Sequence, residues 1–340
     1  MKKYLTAALL IAASAALIPV LPAFYHRKNS LSPDTDGIQL KEFIFPDDEE
    51  AQKVISSDEP YKVLDIESGN VLEVSVRDYV IGAVCAEMPA SFNEEALKAQ
   101  AAAAHTYAER QRLREKASPT PELKGADFSN DTAVYQGFFT KEQAQERFGD
   151  RFEDSYGKIS AAVDEVLPYI ITYDDTPIIA AFHSMSAGYT ESAENVWGTP
   201  VDYLIEVDSR SDLTAPKFRE DKKFSRDELK TALETAFDGI ALGDDMSDWI
   251  KIQTVSDAGT VLSADVGGKT VTGNDIRLAL ALRSASFDIR TFADTAVFTT
   301  KGYGHGVGMS QYGANAMAEQ GKNWREIIAH YYPECTISES

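Results

Sequence analysis

The sequence predicts an α+β fold: a single-pass N-terminal anchor followed by a two-lobed, mixed helix and strand domain with a central cleft. Three observations carry that expectation. Helix-patterned and strand-patterned segments are both present but do not alternate regularly, as a doubly wound sheet would require. No internal repeat is present, which sets aside solenoids and propellers. The composition, 44% hydrophobic over 340 residues, is that of a globular chain able to bury one large core or two modest ones.

Lys2 and Lys3 precede an apolar run from Tyr4 to Tyr25. A bilayer core takes about 20 helical residues, so this run is long enough to span it. Residues 1–28 read as a membrane anchor that leaves the basic N-terminus in the cytoplasm and places the domain on the extracytoplasmic side. A cleavable signal peptide is the rival reading, given small residues such as Ala13, Ser14 and Ala15. Residues 29–60 are acidic and proline-punctuated, with Asp47–Asp48–Glu49–Glu50, and read as a solvated linker.

The domain itself is expected over 61–340. Val63–Ile66 and Val71–Val76 alternate around Ser68–Gly69–Asn70 and predict a hairpin. A helix should open at Ser75, with Asp78 three residues on as in a capping box, and end before Pro89. The next opens at Ser91 or Asn93, carries Glu94 and Glu95 in its first turn, and runs to about Arg114. Its small-sided Ala99–Ala104 stretch invites close packing. Residues 115–160 carry no clear pattern. Tyr169–Tyr173 and Ile178–Phe182 predict strands around Asp174–Asp175. Ser225 and Glu228 form a capping-box pair ahead of Leu229–Phe237. Strands at Trp249–Val255 and Val261–Val266 and a helix at Asn274–Leu282 fall within 208–290, which reads as a second lobe. Ile327–Tyr332, with His330, is patterned as an amphipathic helix.

The net charge of −21 argues against a nucleic-acid partner, because phosphate binding needs clustered cations. Cys85 and Cys335 are the only cysteines and cannot form a disulfide framework. Cys85 lies in an apolar helical run and reads as a small core residue, with a Cys85–Cys335 bridge as the alternative. No CxxC or HExxH motif is present, so neither a metal nor another cofactor is expected.

The run Gly302–Ala314, GYGHGVGMSQYGA, places five glycines among two tyrosines, a histidine, a serine and a glutamine. Glycines allow sharp turns and close approach of backbone to a ligand. Rings, amide and hydroxyl groups suit a sugar better than a phosphate. A purely structural glycine-rich turn is the alternative. His183, Ser184 and Ser186 follow an apolar strand, and a serine-rich turn accounts for them equally well. Glu87 ends an apolar helix, where burial and the helix C-terminus both raise a carboxyl pKa. A surface glutamate that merely ends a helix is the plainer reading of that position. Lys98 reads as a solvated charge, Gln100 as a surface or packing residue, and His105 as a satisfied core histidine.

Three blocks together carry a resemblance. Tyr79–Tyr107, YVIGAVCAEMPASFNEEALKAQAAAAHTY, is followed by Phe182–Trp197, FHSMSAGYTESAENVW, and by Gly302–Ile337. In this order they resemble the signatures of the stage II sporulation protein D family, which includes modifiers of cell-wall amidases. The resemblance implies a peptidoglycan lytic transglycosylase of spore-former engulfment, with Glu87 as its catalytic acid and then base. It implies that Lys98, Gln100, His183, Ser184, Ser186, Tyr303, His305, Ser310 and Gln311 serve substrate binding. It further implies glycan strands as substrate, stripped of stem peptides, and stage II sporulation proteins P (an amidase) and M as partners. The family's usual arginine is replaced here by His105, which offers fewer donors and a titratable charge. A non-catalytic activator of a cell-wall amidase is the second reading.

Overall fold

The computed structural model describes residues 59–132 and 134–339. The expected anchor and most of the expected linker therefore lie outside the described residues. Among those described, no helix is long and apolar enough to cross a membrane. The fold is α+β, as the irregular order of patterns requires.

The first hairpin is present. β1 (Tyr61–Leu64) pairs antiparallel with β2 (Val71–Val74). α1 (Val76–Glu87) opens at Ser75, whose side chain accepts from the amide of Asp78. α2 (Glu94–Ala117) opens at Asn93, which accepts from Glu95, and so runs three residues past Arg114. Glu94 and Glu95 sit at its positive end and Arg114 and Lys116 at its negative end, where each charge favours the helix dipole. Ala99, Ala101, Ala102, Ala103, Ala104 and Ala108 are all fully buried. With side chains this small, neighbouring backbones approach α2 on most of its circumference, and it is the axis of the larger apolar core.

The segment without sequence pattern folds into β3 (Phe128–Ser129), which pairs parallel with β1, then α3 (Lys141–Phe148) and α4 (Phe152–Val166). β4 (Tyr169–Tyr173) turns through Asp174 and Asp175, both at positive φ, into β5 (Thr176–Pro177). The strand expected over Ile178–Phe182 is not formed at that length. Ile179 donates its amide to the Tyr203 hydroxyl at 2.8 Å instead, and pairing resumes only at β6 (Phe182–His183). A one-turn helix, α5 (Ala193–Trp197), follows.

From here the chain builds a second apolar cluster centred on Leu233, Trp249, Ile276 and Phe298. Its elements are β7 (Arg219–Ser225), α6 (Arg226–Ala236), β8 (Ile250–Val255), β9 (Val261–Val266), β10 (Lys269–Val271), α7 (Gly273–Ala279), β11 (Phe287–Phe292) and β12 (Thr295–Lys301). Ser225 and Glu228 close the expected capping box at the start of α6. The helix expected over Asn274–Leu282 stops at Ala279, because Ala281 adopts φ +47. β13 (Met309–Ser310) then pairs parallel with β6. α8 (Gln311–Glu319), α9 (Trp324–Tyr331) and β14 (Thr336–Glu339) return the chain to the first core, β14 pairing with β4. Cys85 and Cys335 are both free thiols.

Candidate active site

The glycine-rich run is laced onto the central block along its length. Met185 bridges Tyr303, His183 pairs with Ser310, and Glu191 bridges Val307. Glycine is required for this approach. A Cβ on Gly308, which has φ +71, would lie 2.1 Å from the carbonyl oxygen of Ala181, and one on Gly304, at φ +112, 2.7 Å from His183 Cβ.

Buried polar groups hold the junction. Asp212 is fully buried. Its Oδ2 accepts from the Ser186 amide (2.7 Å), the Ser186 hydroxyl (2.7 Å) and the Ser209 hydroxyl (3.0 Å). Its Oδ1 accepts from the Ser310 hydroxyl at 2.9 Å. Burial holds its pKa above the ordinary aspartate range, against these donors. Ser186 and Ser310 are thus committed to a structural network, and neither hydroxyl is free for a ligand. Ser184 differs: its carbonyl accepts from the Tyr312 amide, while its half-buried hydroxyl bonds to nothing among the described residues.

The two histidines are neutral parts of the same junction, their ring centres 5.7 Å apart. His183 Nδ1 donates to the Val307 carbonyl at 3.1 Å, and His305 Nδ1 accepts from the Val307 amide at 3.1 Å. Burial is the first cause that lowers both pKa values, to about 4 for His183 and about 3 for His305. An unfolded histidine takes its proton near pH 6.5. Stability from this pair is therefore complete above about pH 6.5 and is lost as the pH falls toward 4, because only the unfolded chain binds the protons. His183→Gln is expected to flatten that acid limb in urea titrations at pH 4.5 and 7.0. An unchanged difference between the two pH values would exclude the assignment.

Tyr303 is half-buried under the guanidinium of Arg283, 4.4 Å from the ring centre. Gln311 is buried and donates to Gln100 Oε1 at 3.4 Å. Gln100 is wholly buried, a packing residue rather than a surface one. Lys98 is not a solvated charge. Its Nζ sits 2.7 Å from Glu165, 3.0 Å from Glu95 and 3.1 Å from Glu94. Burial alone would lower its pKa, but these carboxylates outweigh it and hold it above the usual lysine range. His105 is in the core, yet neither ring nitrogen is hydrogen-bonded; Nε2 stands 3.6 Å from Glu109.

Glu87 is the last residue of α1. Met88 breaks into extended backbone (φ −125°, ψ 138°), the conformation that Pro89 imposes on its predecessor. The carboxyl group is half-buried, and its Oε1 accepts from the Gly137 amide at 2.6 Å. Oε2 makes no hydrogen bond among the described residues. Burial pushes the pKa above the usual glutamate range, against the Gly137 amide, which favours the anion. With Oε1 occupied as an acceptor, the proton of the neutral acid belongs on Oε2, the open oxygen. Glu191 lies nearer the glycine-rich run, but both of its oxygens are engaged, by Ser192 and Asn195 on one side and Ser256 on the other.

The turn after Glu87 docks on α8. Phe92 meets the Tyr312 ring edge-on at 5.0 Å, and the Asn93 amide donates to Asn315 Oδ1 at 2.7 Å. This ties the acid to the helix that follows the glycine-rich run. Two clefts border that run, one lined by Glu191, Ser286 and Lys301 and the other by Asn195, Thr272 and Asn274, with Thr260, Ala285 and His305 common to both. Glu87 lines neither.

Sequence reasoning missed Asp212 and Gly137. A Cβ on Gly137 would fall 2.7 Å from Glu87 Oε1 and 3.2 Å from Ala86 Cβ. Gly137→Ala is expected to fold, because the end of a glutamate side chain can move aside, but to displace the Glu87 carboxyl and so lower any activity that uses it at least about ten-fold. Activity equal to that of the parent, at equal melting temperature, would remove Gly137 from this role.

The family model for SpoIID, the stage II sporulation protein, matches residues 66–173, the segment that holds Glu87, Lys98 and Gly137. The stage II sporulation protein D of Bacillus subtilis (strain 168) is 36% identical over all of this chain and 97% of its own length. That of Bacillus amyloliquefaciens is 41% identical over 80% of this chain and 76% of its own. The amidase enhancer of Bacillus subtilis (strain 168) is 27% identical, covering 76% of this chain but 40% of its own length.

Proposed function

The chain belongs to the stage II sporulation protein D family, and from that premise we propose that it is a peptidoglycan lytic transglycosylase with Glu87 as its acid and base. The bond cleaved is the β-1,4 link from N-acetylmuramic acid to N-acetylglucosamine. Glu87 Oε2 protonates the bridging oxygen as positive charge develops on the muramic acid ring. The resulting carboxylate takes the proton of that sugar's own C6 hydroxyl, which closes onto C1 as a 1,6-anhydro ring. The nucleophile is intramolecular, so a high effective molarity replaces an activated water, and a second carboxylate is not needed.

The observation that carries this reading is the state of Glu87: one oxygen pinned by the Gly137 amide, the other open, and a pKa raised by burial. Ser184, Tyr303, His305 and Gln311 are the remaining candidates for glycan contact. The reading includes a role in spore-former engulfment, an extracytoplasmic domain held by the N-terminal segment, and stage II sporulation proteins P and M as partners.

The relative named amidase enhancer favours a second reading, a glycan-binding module that activates a wall amidase. Purified protein incubated with denuded glycan strands separates the two. Release of soluble fragments without an added amidase supports the enzyme. Strand binding without release supports the activator.

A further inference from the structure

Residues 135–139 are laid along α1 and carry the amide that holds the acid. Phe139 donates its amide to the Gly82 carbonyl at 3.1 Å, and the Phe138 ring stacks on that of Tyr79, their centres 5.1 Å apart. The Gly137 amide, 2.6 Å from Glu87 Oε1, stands just before these contacts. On its other side the tie is the side chain of Gln136. That side chain is buried, and its Nε2 donates to the Tyr79 hydroxyl at 2.9 Å and to the Ala104 carbonyl at 3.1 Å. Tyr79 stands about two turns before Glu87 on α1, and Ala104 is on α2. One side-chain amide therefore joins the segment to both helices.

The orientation of that amide is forced. The Ala104 carbonyl can only accept, so the nitrogen must face it. Both hydrogens of Nε2 are then committed, and Oε1 is left buried without a donor among the described residues. A buried acceptor without a partner costs stability, and an apolar side chain of the same size would avoid that cost. Packing alone therefore does not account for a glutamine at this position. Its two bonds also hold the peptide unit between Gln136 and Gly137, which contains the Gly137 N–H. That unit is planar, so fixing its flanks fixes where the N–H points. Gly137 has no Cβ to restrict its backbone, and the orientation depends on the anchors either side of it, Gln136 and the Phe139 amide.

We propose that Gln136 is the positioning residue of the acid: its side-chain amide keeps the Gly137 N–H aimed at Glu87 Oε1, so that Oε2 is the oxygen that gives up and reclaims the proton. The inference rests on the reading of Glu87 as acid and base and adds what holds that group in register. Gln136 itself is buried and acts only through Gly137. Without the clamp the carboxyl group can rotate, and the anion loses the Gly137 donor. The Glu87 pKa then rises further, because burial acts unopposed.

The test follows the Glu87 carboxyl by carbon-13 NMR, its signal identified by its absence in Glu87→Gln. In Gln136→Met the titration midpoint is expected to rise by roughly one pH unit or more, and turnover of denuded strands to fall about ten-fold with KM little changed. Gln136→Leu should move the midpoint the same way. Thr106→Val serves as the control. It removes another buried tie of α2, the hydroxyl that accepts from the Ile171 amide at 2.9 Å, and should lower the melting temperature without moving the midpoint. A midpoint that stays in place in Gln136→Met and Gln136→Leu overturns the proposal. So does an equal rise in Thr106→Val, which would make the shift a general loosening. The intact protein supplies a measurement that needs no variant to fold. Both side-chain amide protons of Gln136 should exchange with deuterated solvent at least about 10²-fold more slowly than those of free glutamine, and rapid exchange overturns the proposal. If the midpoint rises in Gln136→Met but the intact protein releases nothing from strands, the clamp stands and the glycan reading fails. If the intact protein cleaves strands and the midpoint does not move, only the Gln136 assignment fails.

Discussion

Glu87→Gln is expected to lower the release of fragments from denuded glycan strands by about 10²–10⁴-fold, the usual contribution of a positioned general acid. Stability should change little. The glutamine oxygen can still accept from the Gly137 amide, as Glu87 Oε1 does at 2.6 Å, and the side chain has the same shape. What disappears is the acidic proton on the second oxygen. Binding of strands, measured by co-sedimentation, should persist, because the groups that border the glycine-rich run are untouched. Chromatography of soluble products against time gives the rate, and a thermal melt confirms the fold. Turnover of the variant at the parent rate would take the acid role from Glu87 and leave the activator reading in its place.

Asp212→Ala is expected to cost the most stability of any single change near the site, about 3–5 kcal/mol. Four donors lose their acceptor at once: the amide and hydroxyl of Ser186 and the hydroxyls of Ser209 and Ser310. Each orphaned buried donor costs about 1–3 kcal/mol, partly recovered where a hydroxyl can rotate. The damage should spread into function, because Ser310 caps α8 by accepting from the Gly313 amide at 3.0 Å. Ser186 in turn anchors the loop that pairs with Tyr303 through Met185. Asp212→Asn keeps the volume and one acceptor oxygen and should lose roughly half as much. Urea denaturation measures both variants. A loss below about 0.5 kcal/mol for Asp212→Ala would mean that water replaces the carboxylate and the network is incidental.

The parts of this fold visible in the sequence are those fixed by neighbours in the chain. Ser75 with Asp78, Asn93 with Glu95, and Ser225 with Glu228 are local caps, and their helices begin where these residues stand. The first hairpin and the turn at Asp174–Asp175 are likewise local. β7 was invisible because its sequence, REDKKFS, is charged and largely exposed; its pairing with β12 supplies what its own pattern lacks. The Asp212 network could not be read at all. Its partners Ser186 and Ser310 lie 26 and 98 residues away, and three serines near one aspartate leave no periodic trace.

The candidate site shows the same division. The position of Glu87 at a helix end before Pro89 was legible, and so was the upward pressure of burial on its pKa. Gly137, which fixes one of its oxygens, lies 50 residues on in a stretch with no pattern. The family resemblance implies glycan contact for Ser186 and Ser310, whereas both hydroxyls donate to a buried carboxylate. Lys98 was read as solvated because three scattered acids, two of them adjacent on its own helix, were not seen to converge on it. Polar side chains of identical type thus serve the fold or the ligand, and long-range contacts decide which.

The most direct test of the central claim is the mass of the new chain ends formed from denuded strands in water enriched in oxygen-18. If Glu87 deprotonates the sugar's own C6 hydroxyl, every new muramic acid end is a 1,6-anhydro ring, one water lighter than a reducing end, and carries no heavy oxygen. Reducing ends bearing oxygen-18 at C1 would show that water is the nucleophile and would contradict the mechanism.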